Sequence, residues 1–226
     1  MPTHIENKSR RKEQILRAAR LLLTEGESDD FSMEALATRA GVSLPTPYNL
    51  FGSKSQVIVA LHAWETEAFR RRIGEIEEED PVLRLLQAAD EAMDSHLADE
   101  RYFKALCRAA FNASRPIQAY DHSARSKFFV DELRRVAEAD LIRKPYDIGL
   151  LASVLANLYL ANIHDWASGD IPSPALKPRM GYAIAVAMLG VVIPSRRRQL
   201  HALVSRHQTA LVEMGGQRLS RASVSA

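Results

Sequence analysis

The side chains best suited to chemistry in this chain stand close together in one short stretch. Ser43, Thr46 and Tyr48 supply hydroxyls, Asn49 an amide and Lys54 an ammonium, with Leu44, Pro45 and Pro47 among them. Hydroxyl and ammonium groups suit phosphate oxygens, an amide suits a base edge, and small apolar groups suit thymine methyls. Elsewhere the reactive types are scattered. His62, His96, His122 and His164 lie far apart, and the chain holds no HExxH, phosphate-cradling glycine loop, dinucleotide fingerprint or nucleophile elbow. We therefore expect no catalytic residue, no cofactor and no metal site. Cys107 is the single cysteine, which excludes an intrachain disulfide and a thiolate cage and reads as a small buried hydrophobe.

The elements that must position those residues follow from composition and periodicity. Of 226 residues, 46% are hydrophobic, 26% charged and 7% aromatic, values of an ordinary globular chain. A net charge of +2 is too small to argue for nucleic acid by itself, so the distribution of charge carries the argument. Lys8, Arg10, Arg11, Lys12, Arg17 and Arg20 are opposed locally only by Glu13, whereas Glu75 to Asp80 is strongly acidic. The first residues do not resemble a secretory signal, and no apolar run is long enough to span a bilayer. We expect a cytoplasmic protein with no membrane partner.

Apolar residues recur at helical spacing almost throughout, and period-two alternation is missing, so the expected class is all-α. A first helix covers about residues 8–25, with Ile15, Ala18, Ala19, Leu22 and Leu23 on its inner face and the basic cluster opposite. A second begins after Ser32, which can cap it, and ends at Gly41, where a left-handed residue fits. Ser43 is placed to cap a third, 44–51, whose prolines fall where missing amide protons cost little. Gly52 ends it, and Ser53 with Gln56 forms a capping box opening a long fourth helix, 54–78. Asp80-Pro81 opens the next. Later helices are expected near 100–113, 117–142, 146–168, 175–193 and 195–214, and the segment 215–226 is expected to be unstructured.

The stretch from Phe31 to Leu61 resembles the DNA-binding segment of the tetracycline-repressor (TetR) family. The resemblance rests on Ala37, Ala40-Gly41-Val42-Ser43, Thr46, Tyr48, Phe51 and Lys54 in that order and spacing. It implies a three-helix DNA-binding domain over 8–55 with its helix-turn-helix at 32–51. A larger helical domain for effector binding and dimerisation would then cover 56–214. It further implies that Ser43, Leu44, Pro45, Thr46, Tyr48 and Asn49 face double-stranded DNA, with Lys54 on a phosphate and Leu50 and Phe51 packed inward. The physics agrees, because a short helix, a tight turn with glycine and a second short helix can dock that second helix in the major groove. The third helix has no Arg, Lys or Gln, so its operator does not follow from base-pair chemistry.

Past residue 70 the resemblance is one of architecture. The segments 150–167 and 183–193 are apolar around much of their circumference, which suits a two-fold dimer seam built from helices near 146–168 and 175–193. Tyr102, Phe103, Cys107, Phe111, Phe128, Tyr159 and His164 are candidates to line a pocket for a small apolar or aromatic effector. The expected function is a ligand-responsive transcriptional repressor acting as a homodimer on a palindromic operator. Two alternatives stay open: a helical enzyme, and a helical adaptor without DNA binding.

Overall fold

The computed structural model describes residues 4–26, 30–111 and 115–224, and within these not the side chains of 4–5, 115–125 and 216–224. The helices in order are α1 (His4–Glu25), α2 (Met33–Arg39), α3 (Pro45–Phe51), α4 (Lys54–Gly74) and α5 (Pro81–Ala98). They are followed by α6 (Glu100–Phe111), α7 (Arg115–Glu138), α8 (Ile148–Ser168), α9 (Ser173–Leu189) and α10 (Pro194–Val224). Among the described residues there is no strand, only an isolated antiparallel bridge between Ile142 and Val192. The all-α expectation holds. No described helix is long and apolar enough to cross a membrane.

The chain forms two compact units, residues 1–71 with 98–122 and residues 72–97 with 123–226. In the first, α1 packs on α2 and α6, and α2 packs on α3. Its core holds Ile15, Ala19, Leu23, Leu36, Val57, Leu61, Tyr102 and Leu106, each essentially out of water. This unit is wider than the segment 8–55, because α6 covers the apolar stripe of α1. In the second unit α8 packs on α9 and α9 runs along α10, around Leu85, Met93, Phe129, Leu133, Trp166, Ile184 and Met188. Helices α9 and α10 approach so closely at Gly181 that a Cβ there would lie 2.5 Å from Nε2 of His207.

Helix starts follow the expected caps at Ser32, Ser53 and Asp80: Ser32 Oγ accepts from the Ala35 amide at 3.0 Å, Ser53 Oγ from Gln56 at 3.3 Å, and Asp80 Oδ1 from Val82 at 2.9 Å. Ser43 departs from expectation. Its hydroxyl bonds the Thr46 hydroxyl at 2.9 Å, and the residue at the cap position of α3 is Leu44, without a side-chain cap.

Several helix ends also differ from the sequence reading. Helix α4 stops at Gly74 rather than 78, because the following acidic run is unfavourable at the negative end of a helix. There the Arg84 guanidinium instead takes the open carbonyls of Ile73 (2.7 Å) and Ile76. Helix α7 ends at Glu138 rather than 142, where Asp140 turns left-handed at φ 56° and the Leu141 amide closes back on Val136 O. Helix α8 begins at Ile148 with Asp147 as its cap, bonding the Leu150 amide at 2.8 Å, and ends at the left-handed Gly169. Helix α9 begins at Ser173, two residues early, with Pro174 inside its first turn. The segment expected to be unstructured, 215–226, instead continues α10 as far as Val224, with its side chains from 216 onward outside the described residues.

Candidate nucleic-acid interface

Helices α2 and α3 are joined by a turn whose geometry one residue makes possible. Gly41 sits at φ +62°, the left-handed region that residues with a Cβ enter at a cost. With the chain turned there, the Gly41 amide reaches Thr38 O at 3.1 Å and the Val42 amide reaches Ala37 O at 3.0 Å. The exposed carbonyls at the end of α2 are thereby satisfied. Leu36, Ala37 and Ala40 are buried on the inner side of α2. The small side chains at 37 and 40 let the neighbouring helices pack close.

Helix α3 presents a short outward face. Leu44 is 46% and Tyr48 47% exposed, and Ser43, Pro45 and Asn49 are exposed with them, while Thr46 is half-buried. These positions recur at three- and four-residue spacing, so they share one side of the helix. Pro47 is buried, which removes it from the apolar groups that the sequence reading offered to thymine methyls. Leu50 and Phe51, expected to pack inward, are half-buried. A face of hydroxyls, one amide and two small apolar groups, without a cation, suits close approach to a groove whose rim is negative.

The surroundings fix this face in ways not legible along the chain. Gln14 of α1 donates to Ala40 O at 2.7 Å, tying α1 to the end of α2. The ammonium of Lys12 stands 5.8 Å from the centroid of the Phe51 ring, so α1 also meets α3. Arg39 makes two hydrogen bonds to Glu25, at 2.8 and 2.6 Å. Lys54, implied as a phosphate ligand, is paired with Asp30 at 2.6 Å, and this bond holds the Asp30 carboxyl below its usual range. A phosphate at Lys54 would therefore compete with Asp30.

The basic residues of α1 sort differently from expectation. Arg17 pairs with Glu13 at 2.7 Å. Arg20 is drawn into the unit, bonding Glu65 at 2.7 Å and Asp99 at 2.8 Å with its guanidinium 4.2 Å above the Tyr102 ring. Burial and the neighbouring Glu65 carboxylate push the Tyr102 phenol far above its ordinary range. Lys8, Arg11 and Lys12 do not lie opposite the apolar stripe. Lys8 is two turns before Ile15, Arg11 seven residues before Ala18 and Lys12 seven before Ala19, so they continue the inner stripe past the end of the core.

The seven effector candidates are divided between the units. Tyr102, Phe103 and Cys107 are buried on α6 in the first unit, with Phe111 half-buried at its end. Phe128 and Tyr159 are half-buried in the second unit, where Tyr159 lies edge-on to Phe129 and reaches His96 Nε2 at 3.4 Å. His164 is exposed, with Nδ1 3.8 Å from Asp165. Sequence reasoning passed over the buried ion pair of the second unit, Arg84 with Glu132 at 3.3 Å, whose side chains are 13% and 4% exposed. Burial raises the Glu132 carboxyl above its usual range against the opposing pull of Arg84. Nothing in the spacing of residues 84 and 132 signals that pairing. Among the described residues no cluster of His, Cys, Asp and Glu is arranged to hold a metal ion.

Residues 15–61 match the family described as bacterial regulatory proteins, tetR family. No curated protein matches the chain in sequence. Among solved structures it is similar to SmeT, the repressor of the Stenotrophomonas maltophilia multidrug efflux pump SmeDEF, at 21% identity and TM-score 0.64, covering 81% of this chain and 91% of that one. It is also similar to RolR in complex with resorcinol, at 14% identity and TM-score 0.68 over 90% and 97% of the two chains. A third similar structure is the Thermus thermophilus repressor FadR with lauroyl-CoA, at 17% identity and TM-score 0.67 over 80% and 95%. These likenesses establish a shared fold.

Proposed function

We propose that this chain, whose segment 15–61 matches the tetR family of bacterial regulatory proteins, is a DNA-binding transcriptional repressor working in the cytoplasm. The observation that carries the reading is the outward face of α3. Ser43, Leu44, Pro45, Tyr48 and Asn49 are held in water by a buried α2 and a left-handed Gly41, as a helix entering a major groove requires. Thr46 and Tyr48 set the register on phosphates, Asn49 reads a base edge, and Lys54 exchanges Asp30 for a phosphate.

A single helix-turn-helix contacts few base pairs, so the active species is a homodimer on a two-fold symmetric operator. Helices α8 and α9 supply the seam. Leu150 is 72%, Val154 50% and Val186 43% exposed, and Leu150 and Val154 stand one turn apart on the same face of α8. The second unit takes a small effector with an apolar or aromatic body. That class is supported by the Phe129, Tyr159, His96 and Trp166 cluster and by resorcinol and lauroyl-CoA in two structures of the same fold. Effector binding shifts α4 and changes the spacing of the two recognition helices, which requires different effector affinities for the two spacings.

Selection of bound sequences from random duplexes at two salt concentrations tests the proposal. The expected product is a palindrome whose enrichment survives the higher salt. A chain with Thr46→Ala and Tyr48→Ala should lose that enrichment while remaining folded. If the double variant binds DNA as the parent does, or no duplex is enriched, the repressor reading is wrong.

A further inference from the structure

We propose that the first three turns of α1 form a second DNA-contact element, presenting Lys8, Arg11 and Lys12 to the phosphates that flank the groove entered by α3. This rests on the DNA-binding reading above and extends its footprint. Residues 6–14 are all exposed, so this part of α1 buries no apolar face and contributes nothing to the core that begins at Ile15. The free amides at the start of a helix favour an acidic residue in the first turn, and Glu6 fills that place. The four cations of KSRRK, residues 8–12, follow in the second and third turns, beyond the reach of that end charge and with no core to cover.

Their direction is fixed by the helix. At about 100° per residue, Lys8, Arg11 and Lys12 fall on the stripe that continues as Ile15, Ala18 and Ala19, the stripe turned toward the other helices of the first unit. Two contacts orient that stripe: Gln14 on the carbonyl of Ala40 at 2.7 Å, and Lys12 beside the Phe51 ring of α3 at 5.8 Å. The cations thus extend past the body of the unit on the side that holds α3, not on the side away from it. Arg10 points elsewhere, about 160° around the helix from Lys8. Among the described residues no carboxylate pairs with Lys8, Arg11 or Lys12, so they meet a polyanion without first giving up an ion pair. The charge of the patch and its continuity with the α3 face both select duplex DNA as the occupant.

The test is a salt titration of binding to a random-sequence duplex several helical turns long, using the full chain. Each lost phosphate contact lowers the slope of log affinity against log salt by about 0.9. The variant Lys8→Gln, Arg11→Gln, Lys12→Gln should flatten the slope by about 2.7 per bound copy, so over a fourfold rise in salt it loses about 40-fold less affinity than the parent. Lys8→Gln with Arg11→Gln, which keeps Lys12 on Phe51, should account for about 12-fold of that. Arg10→Gln should leave the slope close to that of the parent. An unchanged slope in both multiple variants, with melting curves intact, overturns the inference. So does an Arg10→Gln effect equal per charge to the others, since that would make the response one of net charge. Failure of the parent itself to bind duplex DNA would instead remove the underlying function.

Discussion

Replacing Gly41 with alanine places a Cβ on a residue held at φ +62°, and nothing lies within 4 Å of that Cβ. The cost is therefore conformational and not steric. A residue with a Cβ in the left-handed region costs about 1–2 kcal/mol, and alanine recovers roughly 0.4–1 kcal/mol by restricting the unfolded chain. The net expectation is a loss of about 1 kcal/mol. Gly74 offers the opposite sign. It closes α4 without a positive φ, and a Cβ there also meets open space, so alanine should stabilise by roughly 0.5–1 kcal/mol. For a chain of this size each kcal/mol moves the melting temperature by about 2–4 °C. Thermal unfolding followed by circular dichroism should place Gly41→Ala a few degrees below the parent and Gly74→Ala a few degrees above it. Gly41→Asn should fall between Gly41→Ala and the parent, because asparagine tolerates the left-handed region better than alanine. A Gly41→Ala chain melting at or above the parent would refute the turn geometry on which the placement of α3 rests.

Tyr48→Phe removes one exposed hydroxyl and should weaken operator binding roughly tenfold, as for a lost hydrogen bond to a charged group, with no change in melting temperature; fluorescence anisotropy reads it. Leu150→Glu with Val154→Glu puts two carboxylates on the exposed face of α8, and sedimentation should show the dimer giving way to monomer while the helical signal persists. Gly181→Ala puts a Cβ against the far end of the half-exposed His207 ring, which must turn away, and should destabilise by about 1 kcal/mol. Adding His207→Ala should reverse part of that loss, and a double-mutant cycle by denaturant unfolding measures the coupling. The Glu132 carboxyl is raised in the folded state by burial, so the fold takes up its proton more readily than the unfolded chain does. The stability of the parent relative to Glu132→Gln should therefore rise as pH falls through the carboxylate range and decline as pH rises above it. A relative stability that does not change with pH would contradict the burial of that group.

The helices and the turn at the α3 face were legible in the sequence because their causes are local. Ser32, Ser53 and Asp80 cap the amides next to them, Gly41 takes the left-handed angle itself, and Ile15, Ala18 and Ala19 share a stripe through the period of the helix alone. What required the tertiary structure involves partners that sequence separation conceals. Gln14 finds Ala40, Lys54 finds Asp30, Arg20 finds Glu65 and Asp99, and Arg84 finds the carbonyls of Ile73 and Ile76 past the end of α4's hydrogen bonding. Side chains as long as these reach any of several neighbours, and only the packing of the helices selects one. The same packing buries Pro47, exposes His164, and turns the cations at the start of α1 toward α3 instead of away from it. Local rules wrote the helices; the choice of which surfaces meet was left to burial and to long-range hydrogen bonds.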